Sequence, residues 1–228
     1  MFWKKNNPVT GKLISFHIPK TAGTSFSDIL HKQYGEKLLK VYEQPLLNQC
    51  KGKDIPVETI QKFDAVHGHF MASQVWLDAF PNAHFVLWIR DPYERLYSHY
   101  TFWSRIKAPG KDAAVFRENK PSLLTFCTDK TYQKRNRIYE YFLQDFPIDK
   151  LSFVGEMSSI DQDMRTLAAK MKWRDINHLP KRNTSPDTHS IHVTDDEKKT
   201  ILEALAGEYE IYRKLLSLRK QLLADNTI

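Results

Sequence analysis

His84-Phe85-Val86-Leu87-Trp88-Ile89 is unbroken apolar sequence, bounded by Pro81-Asn82 ahead of it and Pro92 behind. Six residues without polar alternation read as a strand buried on both faces, the kind found in parallel sheets. Parallel neighbours need a crossover that is usually a helix, so this stretch predicts an α/β chain. The rest of the sequence obeys the same rule. Leu13 to Ile18, Ala65-Val66-His67 and Leu151 to Val154 are further short strand candidates. Helical patterns separate them: one from Thr24, one from Ser73 to Phe80, one over residues 93–106 with Leu96, Tyr100 and Trp103 on a face, and one toward Met171 that Ser159 and Gln162 open as a capping box. Thr194 and Glu197 form a second box. It opens a last helix with Ile201, Leu205, Tyr212 and Leu216 along one side to about Leu223, expected across the sheet edge.

The expected architecture is a P-loop-like three-layer α/β sandwich: a mostly parallel central sheet with helices on both faces and a helical insertion over residues 105–150. The aromatics of that insertion, among them Tyr139, Phe142 and Phe146, read as core. With 228 residues, no repeat and no Gly/Ser linker, the chain is read as a single domain, 1–228, against a prior of roughly 150 residues per domain. Hydrophobic residues make up 41% of the sequence, enough to fill a core, which excludes a disordered chain. Two cysteines, Cys50 and Cys127, exclude a disulfide scaffold and fit a reducing compartment. No apolar window is long enough to span a membrane, and the opening stretch MFWKKNNPVTGKLISF lacks the apolar core of a signal peptide. A soluble, cytoplasmic chain is therefore expected. The net charge of +7 favours an anionic ligand without naming it.

Three segments carry chemistry. His17-Ile18-Pro19-Lys20-Thr21-Ala22-Gly23-Thr24-Ser25-Phe26 lies between a strand and a helix. Small residues there let backbone amides close on an anion, the helix N-terminus adds partial positive charge, and Lys20, Thr24 and Ser25 add donors. Lys20 precedes Gly23, whereas in a Walker A loop the lysine follows the last glycine, so the segment is a phosphate cradle of another kind. The second segment, Arg90-Asp91-Pro92-Tyr93-Glu94-Arg95-Leu96-Tyr97-Ser98, follows the central strand. A magnesium-dependent ATPase would be expected to place an aspartate at that strand end; here stands Arg90, suited to fork onto a second phosphate, with Ser98 eight residues on to join it. Asp91 and Arg95, four apart, are expected to pair with each other. The third segment is Val66-His67-Gly68-His69. A histidine beside an anion site is mostly neutral at pH 7 and able to take a proton from a hydroxyl, which makes His69 the candidate base. No third ligand stands at metal-binding spacing, so no metal is expected.

HIPKTAGTSF, HGH and IRDPYERLYSHY, in that order, resemble the sulfotransferases that use 3′-phosphoadenosine 5′-phosphosulfate, most of all the branch containing heparan sulfate 2-O-sulfotransferase. The motifs cover the first half of the chain, with a weaker echo in FVGEM and in Lys181-Arg182-Asn183-Thr184-Ser185. The resemblance implies that Lys20, Thr21, Ala22, Gly23, Thr24 and Ser25 hold the 5′-phosphosulfate, with Lys20 near the leaving oxygen. It implies that Arg90 and Ser98 hold the 3′-phosphate, that His69 is the catalytic base, and that His67 supports it. Lys181 and Arg182 would fall in a loop that covers the nucleotide or meets the acceptor. The product would be 3′,5′-adenosine bisphosphate, and the partner an acceptor with a free hydroxyl, a glycan or glycoconjugate, rather than nucleic acid. The chain lacks the membrane anchor and disulfides of the animal members and is shorter, so a free-standing bacterial type of enzyme is implied.

Two rival readings remain at this stage. One is a P-loop phosphotransferase using ATP and magnesium. The other is a nonenzymatic binder of RNA or anionic glycan, suggested by the net charge and by Lys134-Arg135-Asn136-Arg137, a run more often found as a solvated helix face. The acceptor's identity and the oligomeric state are not legible.

Overall fold

The computed structural model describes residues 11–43, 46–50, 55–105, 110–143, 145–174 and 191–224. Its centre is a five-stranded sheet of β1 (Leu13–Phe16), β2 (Leu38–Val41), β3 (Ala65–Gly68), β4 (His84–Ile89) and β5 (Phe153–Glu156). The spatial order is β2-β3-β1-β4-β5 and every pairing is parallel. β4 has the limits its apolar run predicts, and β5 starts two residues later than expected. β2 was not anticipated. Its four residues include the exposed Lys40, and only Leu38 and Val41 are buried, as suits an edge strand.

Side-chain alternation sends the residues of β4 to two different cores. Phe85, Leu87 and Ile89 join Ile14, Phe16, Val66 and Trp76 on one face. Val86 and Trp88 join Leu13, Phe26 and Phe153 on the other. The second face is covered by α1 (Gly23–Tyr34), with α2 (Gln74–Ala79) on the first. α3 (Pro92–Arg105), α4 (Lys111–Asn119) and α5 (Leu123–Thr128) form a third small core around Trp103, Phe116 and Phe126. The insertion thus carries its own packing. It ends in α6 (Ile138–Leu143), whose Tyr139 and Phe142 return to the main core, as expected. α7 (Ile160–Lys170) lies on the α1 face.

Two capping expectations met different fates. Thr194 and Glu197 form both bonds of their box and start α8 (Asp195–Ala204). Ser159 stands at the N-cap of α7 but makes no capping bond. Its hydroxyl instead donates to Asp163 and accepts from Arg219 Nη2 at 2.8 Å, because the buried Asp163 and Arg219 form an ion pair that draws it in. The last helix is interrupted at Leu205. α8 packs on α5, while α9 (Ala206–Ala224) crosses the edge strand β5 and α6. Both cysteines are buried free thiols. No helix among the described residues is long and apolar enough to cross a membrane.

At Gly68, β3 passes so close to β2 that an added Cβ would lie 2.1 Å from the Val41 carbonyl oxygen. That oxygen is backbone, also accepting from His69 N at 3.0 Å, and cannot swing aside as a flexible side chain would. Gly68→Ala is expected to lower the unfolding free energy by about 1–3 kcal/mol in urea titrations. A variant as stable as the parent would refute this packing.

Candidate active site

The chemistry-bearing segments are far apart in sequence and adjacent in space. β3, β1 and β4 are neighbours, with Ser15 level with His67 and Phe16 level with both Gly68 and Leu87. The carboxyl ends of the three strands therefore finish side by side, where open α/β sheets bind ligands. They release the loop at 17–22, His69, and Arg90.

The first loop leaves backbone donors open at the start of α1. Lys20 and Ala22 take left-handed backbone conformations, with φ of 73° and 65°. No side chain caps the N-terminus of α1, and its first turn contains no acidic residue. The helical ladder begins with Phe26 N to Ala22 O, so the amides of Gly23, Thr24 and Ser25 precede it. Thr21 is fully buried, and its hydroxyl donates to Ile18 O at 2.7 Å, bracing the loop from within. Its contribution to an anion site is therefore its backbone, while Thr24 is exposed. Lys20 Nζ lies 4.4 Å from the centre of the Phe102 ring. Burial lowers the Lys20 pKa, and the positive charges of Arg90 and Arg105 lower it further.

Three imidazoles stack beside the loop. The His17 ring lies 5.1 Å from His67 and 4.5 Å from His69, centre to centre. Tyr42 closes the group, its hydroxyl 2.9 Å from His17 Nδ1 and its ring 4.8 Å from that of His69. His67 is buried, with Nδ1 2.9 Å from the Ser15 hydroxyl and Nε2 3.3 Å from the Gly23 carbonyl. The carbonyl only accepts, so Nε2 carries the proton and Nδ1 accepts from Ser15. Burial pushes the His67 pKa down to about 3, against the opposing pull of the Gly23 bond. Burial likewise holds His17 well below its ordinary value, with the charges of His69, His67 and Lys20 acting the same way. A Cβ on Gly23 would fall 1.7 Å from His17 Nε2, so glycine is what lets that ring enter the stack. Among the described residues no group of three or more His, Cys, Asp and Glu is placed to hold a metal ion.

Arg90 forms the far side. Its Nε donates to Glu94 at 3.3 Å, and its main chain is bonded to the Tyr139 hydroxyl. Ser98, two turns along α3, is buried. The expected Asp91 to Arg95 pair does not form. Asp91 instead accepts from Glu94 N at 3.0 Å and from the Tyr209 hydroxyl at 3.1 Å, while Arg95 is fully buried and donates to Arg135 O at 2.7 Å. Tertiary partners displace the local i,i+4 contact. Arg135, from the basic run, pairs with Asp112 and lies over Trp103, and Asn136 is buried, so the run is not a uniformly solvated face. A cleft of about 600 Å³ opens beside Arg90, walled by Tyr93 and Tyr97 of α3 and by His192, Val193 and Lys198 near the start of α8.

Sequence reasoning missed His17, Tyr42, Phe102 and Arg105. For the last two a signal existed: Phe102 and Arg105 follow Ser98 by four and seven residues and so share its helix face. Lys181 and Arg182 lie outside the described residues.

With this geometry in view, comparison with known proteins is informative. No curated protein matches the chain at a significant level. Among solved structures, a sulfotransferase from Alicyclobacillus acidocaldarius shares the fold, with a TM-score of 0.52 at 14% identity, over 93% of this chain and 97% of that one. The model of the sulfotransferase family matches residues 8–218, nearly the whole sequence. The chain belongs to the sulfotransferase family.

Proposed function

We propose that this sulfotransferase takes its sulfuryl group from 3′-phosphoadenosine 5′-phosphosulfate and delivers it to a hydroxyl of a carbohydrate acceptor, with His69 as general base. The observation that carries the reading is the strand register: β1 and β4 are parallel neighbours, so the loop bearing Lys20 and Arg90 beyond β4 leave the same edge of the sheet, near enough for the Arg90 charge to help lower the Lys20 pKa. Such a site suits a ligand anionic at both ends, and the uncapped start of α1 adds amides at one of them. Carbohydrate is preferred through the HGH resemblance alone.

When bound, the donor supplies an activated sulfuryl group and a phosphate oxygen as leaving atom. Lys20 and the amides of Gly23, Thr24 and Ser25 are oriented in advance to receive the negative charge that grows on that oxygen. Arg90 and Ser98 hold the 3′-phosphate, which competes with Glu94 for the Arg90 guanidinium. His69 takes the acceptor's proton. His67 does not compete for it: its pKa of about 3 keeps it neutral, and both its ring nitrogens are engaged. It acts by tying the start of α1 to β1 and β3. Residues 1–228 act as one domain in this reading, and Lys181 and Arg182 cover the donor or meet the acceptor.

Three outcomes are expected. Calorimetry with 3′,5′-adenosine bisphosphate in the presence of chelator should show binding; a null result removes the donor assignment. His69→Ala should lower turnover by about 10²–10⁴-fold and leave that affinity nearly unchanged, whereas Arg90→Ala should weaken it by roughly 2–5 kcal/mol. Loss of nucleotide binding in His69→Ala would show the base assignment to be wrong. The third concerns pH. Because the folded His67 pKa of about 3 lies below the ordinary 6.5, the unfolded chain takes up the proton first on acidification. Stability is then lost as pH falls from about 6.5 toward 3, with His67 contributing up to about 1.4 kcal/mol per pH unit, and is unaffected by this group above that range. His67→Gln should flatten the slope between pH 6 and 4; an unchanged slope would contradict a neutral, buried His67.

A further inference from the structure

The C-terminal helix reaches toward the site through buried polar side chains. Glu208, at the start of α9, is buried, and each of its carboxylate oxygens accepts one amide from the beginning of α6: Tyr139 N and Glu140 N, both at 3.0 Å. Tyr139 is itself fully buried. Its hydroxyl accepts from Arg90 N at 2.8 Å and donates to Arg90 O, so one phenol holds both polar groups of a single peptide residue. The strand of β4 ends at Ile89, and the grip therefore falls on the first residue beyond the sheet. On the next residue, the Tyr209 hydroxyl bonds both oxygens of Asp91 at 3.1 Å.

We propose that Tyr139, held in place by Glu208, is a positioning residue that sets the Arg90 guanidinium for a 3′-phosphate and so gives the site its preference for 3′-phosphorylated nucleotides. This rests on the reading of Arg90 as the 3′-phosphate ligand. Arg90 already has a competing partner in Glu94, four residues along α3. Where its guanidinium points depends on where its Cα sits, and charge-assisted bonds lose strength quickly with misplacement. The Tyr139 hydroxyl is what fixes that Cα from the interior. Burial raises the Tyr139 pKa, so the hydroxyl keeps its proton and can both donate and accept at any working pH.

The test uses the full chain and two probes, 3′,5′-adenosine bisphosphate and adenosine 5′-monophosphate, titrated calorimetrically into the parent protein, Arg90→Ala and Tyr139→Phe. The ratio of the two affinities isolates the 3′-phosphate contact. Tyr139→Phe is expected to shrink that ratio by about tenfold, the effect of a lost buried hydrogen bond, while binding of the monophosphate stays within about twofold. Arg90→Ala should abolish the ratio. If Arg90→Ala abolishes it and Tyr139→Phe leaves it intact, the positioning role is overturned and the Arg90 reading stands. If Arg90→Ala leaves it intact, the Arg90 reading fails, and the inference with it. Equal loss of both affinities in Tyr139→Phe would mean a merely structural role and would also overturn the proposal. Amide hydrogen exchange supplies a readout free of nucleotide: the Arg90 amide should be protected in the parent protein and exchange at least about tenfold faster in Tyr139→Phe. An unprotected Arg90 amide in the parent overturns the proposal even if the variant does not fold.

Discussion

The bonds of one buried imidazole hold the site together. His67 projects from β3, accepts from the Ser15 hydroxyl of β1 and donates to the Gly23 carbonyl at the start of α1. Two strands and the helix that begins the anion loop are thus joined through one neutral ring. Each partner is buried or nearly so, and leaving any of them unpaired costs about 1–3 kcal/mol, which makes the geometry unique rather than one of several. Gly23 must be glycine because the His17 ring occupies the space a Cβ would take. The stack of His17, His67 and His69 is a consequence of these two constraints.

Against that constraint stands a concentration of positive charge. The charges of Arg90 and Arg105 add to burial in lowering the Lys20 pKa, and the Phe102 ring is the aromatic partner of the ammonium. A ring face offsets part of the cost of burying a cation, by about 0.5–2 kcal/mol, without neutralising it. In the proposed reading, an anionic donor entering the site relieves that repulsion. Donors oriented before such a ligand arrives would need no rearrangement to receive it.

What could be read in advance follows from how local each cause is. β4 was legible to the residue because a strand buried on both faces leaves an unbroken apolar run, and the box at Thr194 because both its bonds lie within four residues. The loop from His17 to Ser25 announced itself through small residues next to a lysine. The failures are tertiary. Ser159 was drawn away by an ion pair whose partner, Arg219, is 60 residues distant. Asp91 was claimed by Tyr209 over a separation of 118. β2 was hidden because an edge strand need bury only two of its four residues. The part played by Tyr42 and Tyr139 was invisible for the same reason: a buried phenol reads as core whatever its hydroxyl does.

The bonds from α9 show where the sheet's carboxyl ends get their rigidity. Tyr209 bonds Asp91 after β4, Tyr212 bonds Glu156 at the end of β5, and Arg219 pairs with the fully buried Asp163 of α7 at 2.6 Å. These contacts lie along one side of a single helix. Asp163 is fully buried and Arg219 only partly so, and removing Arg219 would leave the buried carboxylate with the Glu156 amide and the Ser159 hydroxyl alone, a larger loss than that of an exposed pair. The loop after β1 is braced by Thr21 and Arg90 by Tyr139 of α6, whereas Asp91 beyond β4 and Glu156 at the end of β5 take partners from α9. C-terminal packing therefore bears on the site at one remove, through Asp91 beside Arg90 and through Glu208, whose carboxylate holds the amides of Tyr139 and Glu140.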